Sequence, residues 1–165
     1  MQPNSQPKQA NPKPVLSNPV HCLAFGFGSG LAPKAPGTFG TLAAVPLFLL
    51  LSSLSLSEYL YVVIFASVVG IYFCGQTAKD LQVHDHPGIV WDEFVGFWIT
   101  MIAVPVSWWS LVLGFALFRL FDIWKPWPIK WVDKHVHGGF GIMLDDVLAG
   151  LLALGSLHLL IYLIS

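Results

Sequence analysis

The sequence predicts an all-α, polytopic membrane protein with about three full spans and one helical hairpin. Three observations predict it. Of the 165 residues, 55% are hydrophobic and only 10% are charged, against roughly 25% charged in an average soluble domain. Thirteen of the 17 charged residues fall in two segments, 76–93 and 119–146. The chain is charge-free over 35–57, 59–78, 94–118 and 147–165, each close to the roughly 17–25 residues that cross a hydrocarbon core. Such a composition argues against a disordered chain and against an ordinary soluble enzyme. A net charge of −1 leaves no basic surplus for binding nucleic acid by counterion release. Two cysteines, Cys22 and Cys74, are too few for a disulfide scaffold and read as free thiols.

Residues 1–20 are Pro, Asn, Gln and Lys with no apolar core, so they read as a disordered tail and not as a signal peptide. Residues 21–165 read as a single membrane-embedded domain. The first span starts near Thr41, after the turn chemistry of Pro36-Gly37 and Gly40, which places Pro46 near its first turn, where proline is tolerated. The second span covers 59–77. The stretch 94–118 is either one tilted helix or two short arms folded at Pro105-Val106-Ser107-Trp108-Trp109. The positive-inside rule favours the hairpin, because it leaves all eight basic residues on one side. Its arms, about 11 residues each, rise roughly 16 Å and enter the bilayer part-way. The last span, 147–164, takes the C-terminus to the other side.

Three groups of residues could carry chemistry. The run 26–41 (GFGSGLAPKAPGTFGT) places Gly28, Gly30, Lys34 and Thr38 ahead of a helix. Glycines let backbone N–H groups converge on an anion, and a helix start favours negative charge. A flexible loop entering a membrane helix explains the glycines equally well. The run 79–93 holds Asp80, His84, Asp85 and His86, then Asp92-Glu93 at the opening of an apolar helix. Asp80 and His84 share a face if the preceding helix continues that far. Carboxylates at a helix start also serve as dipole-matching caps, and His84-Asp85-His86 is either a metal or acid–base cluster or a solvated loop. The run 119–146 holds Arg119 and Asp122, spaced to pair on a helix. Trp124-Lys125-Pro126-Trp127 follows at an expected headgroup level, and Asp145-Asp146 stands at the mouth of the last span. Adjacent aspartates there are costly unless solvated, protonated or bound to a cation.

Hard carboxylate oxygens beside phosphate-friendly groups suggest Mg²⁺, which prefers one or two carboxylates plus water and phosphate oxygens. No Cys/His spacing matches a structural zinc site. A Cys-x5-Arg nucleophile, an Asp-x-Asp-x-Thr/Val motif and a Pro-Ser-Gly-His segment are all absent from the sequence. Metal-activated water or a carboxylate nucleophile remains. A transporter would keep ionisable groups at mid-membrane depth, where the spans offer only His158. A small scaffold with a divalent-cation site in its loops would not need two carboxylate pairs.

Seven motifs together resemble the phosphatidylglycerophosphatase A family of bacterial lipid phosphatases. They are GFGSGLAP (26–33), PGT (36–38), QTAKD (76–80), VHDH (83–86), IVWDE (89–93), WKPWPI (124–129) and HGGFGIMLDD (137–146). The resemblance covers about residues 18–160. It implies Mg²⁺-dependent hydrolysis of phosphatidylglycerophosphate to phosphatidylglycerol and phosphate, in phospholipid biosynthesis at the bacterial inner membrane. The roles expected of the residues are inferred from their chemistry, at a site expected to face the cytoplasm. Asp92, Glu93, Asp145 and Asp146 hold the metal. Gly28, Gly30, Lys34 and Thr38, with Arg119 and Lys125, take the phosphate. His84 or Asp85 is the base for the attacking water, with Asp92 as a further catalytic carboxylate. The substrate and the bilayer are the expected partners.

Overall fold

The computed structural model describes residues 12–83 and 86–164, and these are helical with no strand among them. The helices are α1 (Pro19–Ala24), α2 (Pro36–Leu51), α3 (Leu56–Asp80), α4 (Trp91–Thr100), α5 (Trp108–Trp124), α6 (Ile129–His135) and α7 (Gly138–Ile164), with a kinked 3-10 segment at Gly26–Leu31.

Local chemistry sets most boundaries. Asn18 accepts from the Val20 N–H to cap α1, which opens with Pro19. Ser55 and Glu58 form a reciprocal capping box at the start of α3, and Ser107 and Ser110 do the same for α5. α2 begins at Pro36, five residues before the expected start, so Pro46 lies well inside the helix and not in its first turn. Pro46 has no N–H, so the Leu42 carbonyl loses its usual helical partner. The glycines expected to form a turn instead let α2 approach its neighbours: a Cβ on Gly40 would stand 2.6 Å from Cβ of Val90. α3 stops at Asp80, and His84, expected to share a face with it, lies outside the described residues. Asp80 instead accepts from Gln76 and pairs with His21 at 3.0 Å.

α4 is the centre of the molecule. Nine of its ten residues are buried, all but Asp92, and it packs against α2, α3, α5 and α7. Trp91 stacks on Phe94 at 5.8 Å, and Trp98 meets both rings edge-on. The polar atoms carried into this core are satisfied by carbonyls of neighbouring helices. Trp91 donates to Ala66, Trp98 to Ala44, and Tyr59 donates to the Trp98 carbonyl at 2.7 Å. Small residues permit the close crossings: a Cβ on Gly96 would collide with Phe118, and one on Gly139 with the Ile71 carbonyl.

α4 and α5 form a hairpin with unequal arms of 10 and 17 residues. Met101–Val106 lies against Ser52–Leu56 of the α2–α3 connection, and Pro105 and Trp109 lie against Ile161 and Ile164 of α7. The turn therefore reaches the same end of the bundle as those two elements, while the charged segments occupy the opposite end. His158 bonds the Ile102 carbonyl in this turn at 2.9 Å, a local structural role and not that of a proton relay.

Two helices, Leu56–Asp80 and Gly138–Ile164, are long and apolar enough to cross a membrane. Only 22% of each apolar window is buried, whereas the core helix of a soluble protein would be mostly buried. On α3 the exposed stripe is Tyr61, Ile64, Phe65, Val68 and Tyr72, one helical face of hydrocarbon-compatible side chains.

Candidate active site

At the charged end, a cavity of about 250 Å³ opens between the first turns of α2 and α4, the last turns of α5 and the start of α7. Its polar walls are Asp92 and Glu93 from α4, Arg119, Asp122 and Lys125 from α5 and its cap, and Asp145 and Asp146 from α7. Ala35, Pro36 and Gly37 close one side, and Pro87 and Ile89 close another.

Asp92 and Glu93 open α4, where the helix dipole favours negative charge. One carboxylate oxygen each from Asp92, Glu93 and Asp146 lies within 4.8 Å of the others. Glu93 Oε2 and Asp146 Oδ2 are buried and have no hydrogen-bond partner. Buried carboxylate oxygens left unmatched are costly, and a hard divalent cation bridging them would satisfy both. The donor set therefore fits Mg²⁺ or a similar oxygen-seeking ion. Burial, then the charge of Asp122, pushes the Glu93 carboxyl up to about 8, against the opposing pull of Arg119.

Asp145 does a different job from its neighbour. Successive helical residues point about 100° apart, so Asp146 faces the α4 pair while Asp145 meets α5. Lys125 Nζ donates to Asp145 Oδ2 at 2.6 Å and also to Asp133 of α6. Lys125 caps α5 in the left-handed region, φ 46°, with its N–H bonded to the Phe121 carbonyl. Burial opposes its charge, but the two carboxylates prevail and raise its affinity for the proton. Arg119 pairs with Asp122 one turn on and lies 3.7 Å from Glu93.

The structure thus brings Asp92, Glu93, Asp145, Asp146, Arg119 and Lys125 into one cavity. It does not bring Gly28, Gly30, Lys34 or Thr38 to that cavity's wall. The Gly26–Leu31 segment packs instead on the 86–90 connection: a Cβ on Gly30 would collide with the Gly88 carbonyl, and Val90 donates to the Ala24 carbonyl. Lys34 is exposed and directly precedes Ala35. The Thr38 N–H is already bonded to the Ala35 carbonyl. His84 and Asp85 lie outside the described residues.

Two wall residues went unrecognised in the sequence. Asp122 read only as the partner of Arg119, although its spacing from Arg119 was the signal that it travels with that guanidinium. Gly37 read as a turn glycine. In fact a Cβ there would overlap Glu93 Oε1 and lie 3.0 and 3.1 Å from the Arg119 Nη atoms, so its missing side chain is what lets α2 close the cavity.

Two helices are long and apolar enough to cross a membrane, and at one end of the bundle lies a cavity lined by both carboxylates and cationic side chains. The chain belongs to the Phosphatidylglycerophosphatase A family, whose profile matches residues 22–161. It is 54% identical over 144 residues to the Phosphatidylglycerophosphatase A of Escherichia coli strain K12, covering 87% of this chain and 84% of that one. It is 51% identical over 140 residues to the Haemophilus influenzae protein of the same name, covering 84% and 86%. No solved structure matches the chain.

Proposed function

We propose that the chain is a lipid phosphatase that hydrolyses phosphatidylglycerophosphate to phosphatidylglycerol and inorganic phosphate, with Mg²⁺ as cofactor. The observation that carries this reading is the convergence of Asp92, Glu93 and Asp146 oxygens within 4.8 Å, beside Arg119 and Lys125, at the mouth of apolar helices. The names of the two relatives support the choice of substrate.

Asp92, Glu93 and Asp146 would hold the cation, which would supply Lewis-acid polarisation of a phosphate oxygen and a lowered pKa for water. The protein's own groups do the rest. Arg119, steadied by Asp122, offers a planar fork to the phosphate oxygens. Lys125, at the C-cap of the same helix, adds a point charge. His84 or Asp85 takes the proton of the attacking water, and Pro87 and Ile89, which follow them closely in the chain, line the cavity. Water oxygen bonds to phosphorus, the bond from phosphorus to the glycerol oxygen breaks, and the proton passes to that oxygen.

The same reading places α2, α3 and α7 as spans and α4–α5 as a re-entrant hairpin in the bacterial inner membrane, with the cavity facing the cytoplasm. α2 has 16 residues and rises about 24 Å, which suits a thin bilayer or interfacial ends. Lys34, Arg119 and Lys125 then share the cytoplasmic side, as the positive-inside rule requires.

The test is phosphate release from phosphatidylglycerophosphate by wild type, Asp92→Asn and Asp146→Asn, with Mg²⁺ and with chelator. Full activity in both variants would remove the metal site, and activity in chelator would remove the mechanism. A cysteine placed at Ser107 tests the topology: labelling from the cytoplasm would overturn it.

A further inference from the structure

A second concavity adjoins the charged one and is apolar where the first is polar. Trp127, Pro128, Trp131 and Val132 line one side and Leu148 of α7 lines the other, around about 410 Å³, a volume within the roughly 300–1,000 Å³ range of ligand sites. Chain continuity joins the two spaces. Trp127 follows Lys125 by two residues. Leu148 follows Asp145 by three, which puts it on the same face of α7 one turn closer to the apolar end. The Lys125–Asp145 ion pair at 2.6 Å ties together the two chain segments that run from the charged cavity to the apolar groove.

The exposure of the groove's walls is not explained by folding. Ile129 and Val132 already anchor α6, yet Trp127 is 83% and Trp131 55% exposed. Lys130 and Lys134 of α6 are exposed beside them, an arrangement that suits an anionic headgroup layer. A phosphate monoester held by Arg119 and Lys125 must have its lipid body leave the cavity toward hydrocarbon. The groove is the apolar path that begins at the cavity wall.

We propose that this groove seats the glycerol ester end and first methylenes of one acyl chain of the lipid substrate, which then follows α7 past Leu148. The proposal rests on the lipid-phosphatase reading and adds to it a site that selects diacyl phosphate monoesters over soluble ones.

The experiment uses full-length protein in nonionic mixed micelles with Mg²⁺. Two substrates are compared: dioleoyl phosphatidylglycerophosphate and its deacylated, water-soluble analogue, which carries the same phosphate monoester. Leu148→Trp fills the groove, and Trp131→Ala removes a wall. The expected result is a KM for the diacyl substrate raised at least tenfold by Leu148→Trp and about threefold by Trp131→Ala, with kcat/KM for the deacylated substrate within twofold of wild type. An unchanged diacyl KM, or equal losses on both substrates with an unchanged thermal melt, would overturn the groove. A changed oligomeric state in Leu148→Trp with an unchanged diacyl KM would assign the groove to a second copy and also overturn it. Should Leu148→Trp fail to fold, wild type is photolabelled with a phosphatidylglycerophosphate carrying a diazirine near the ester. Adducts in 127–132 or at Leu148 support the proposal, and adducts elsewhere alone overturn it. Wild type that releases no phosphate from the diacyl lipid would overturn the phosphatase reading itself, and the labelling pattern would still decide the groove.

Discussion

Replacing Gly37 by alanine adds a single methyl group at the point where α2 meets the Glu93 carboxylate of α4. The added Cβ would overlap Glu93 Oε1 and stand 3.0 and 3.1 Å from the two Arg119 Nη atoms. Escape is limited, because Glu93 lies on the buried helix α4 and Arg119 is held by Asp122. The carboxylate or the α2 start has to move by about 1 Å, and a misplacement of that size at a reacting centre costs about 10²-fold in rate. Overpacking of this kind destabilises by about 1–3 kcal/mol, too little to unfold a typical domain. The assay is phosphate release in mixed micelles at saturating Mg²⁺, with a thermal melt of the same sample. Gly155→Ala serves as control: its Cβ meets nothing within 4 Å, so it should keep full activity and gain about 0.5–1 kcal/mol of helix stability. Gly37→Ala activity within threefold of wild type would refute the placement of α2 against Glu93.

Lys125→Met removes both ion pairs and leaves Asp145 without its partner. The Lys125 side chain keeps 26% exposure, so the stability loss should be about 1–2 kcal/mol, below the roughly 3–5 kcal/mol of a fully buried broken pair. Activity should fall more than stability, as the ratio of kcat/KM to melting shift will show, because the phosphate loses a cation. The Glu93 carboxyl, held up to about 8 by burial and by Asp122, keeps its proton at neutral pH when no cation is bound. The folded state then binds a proton that the unfolded chain has released, so cation-free stability falls as pH rises from about 4.5 to 8. Mg²⁺ has to displace that proton, so its affinity should rise up to tenfold per pH unit below about 8 and level off above. Calorimetric titration at pH 6, 7 and 8 checks this, and a flat profile would contradict it.

The carboxylate pairs were legible because charge is so scarce that any acid beside an apolar run stands out. Arg119 and Lys125 were legible for the same reason. The break between α4 and α5 was readable from Pro105. The unequal lengths of the two helices were not, because the chain leaves α4 through Ala103 at φ 55°, two residues ahead of that proline and in a conformation alanine seldom adopts. The glycine-rich motif was misleading in a physically instructive way. Glycine permits close approach to a phosphate or to another backbone, and the sequence does not say which. At Gly30 it is the Gly88 carbonyl. At Gly37, by contrast, it is the Glu93 carboxylate itself. Both distinctions depend on tertiary contacts between segments more than fifty residues apart. Asp145 and Asp146 looked interchangeable until the helix assigned one to the α4 pair and the other to Lys125.

The central helix carries both the core and the chemistry, and this makes cation binding a stability measurement. Trp91 and Phe94 lock the first turn of α4 into the core, so Asp92 and Glu93 cannot swing apart to relieve their repulsion with Asp146. Once ionised, above about pH 8 for Glu93, like charges within 4.8 Å of one another repel by about 3 kcal/mol per pair at an effective dielectric of about 20, partly offset by the helix dipole and by Arg119. Removing one carboxylate should therefore stabilise the cation-free protein, although it destroys the site. Asp146→Asn is expected to melt higher than wild type in chelator at about pH 9, where Glu93 is ionised. Wild type should gain about 2.7 kcal/mol at Mg²⁺ equal to 100 times its dissociation constant, while Asp146→Asn should gain almost nothing. The two melting curves should then exchange order as Mg²⁺ is added. If wild type is already the more stable of the two in chelator, the carboxylates are not held in mutual repulsion, and the cation site drawn from their convergence fails with it.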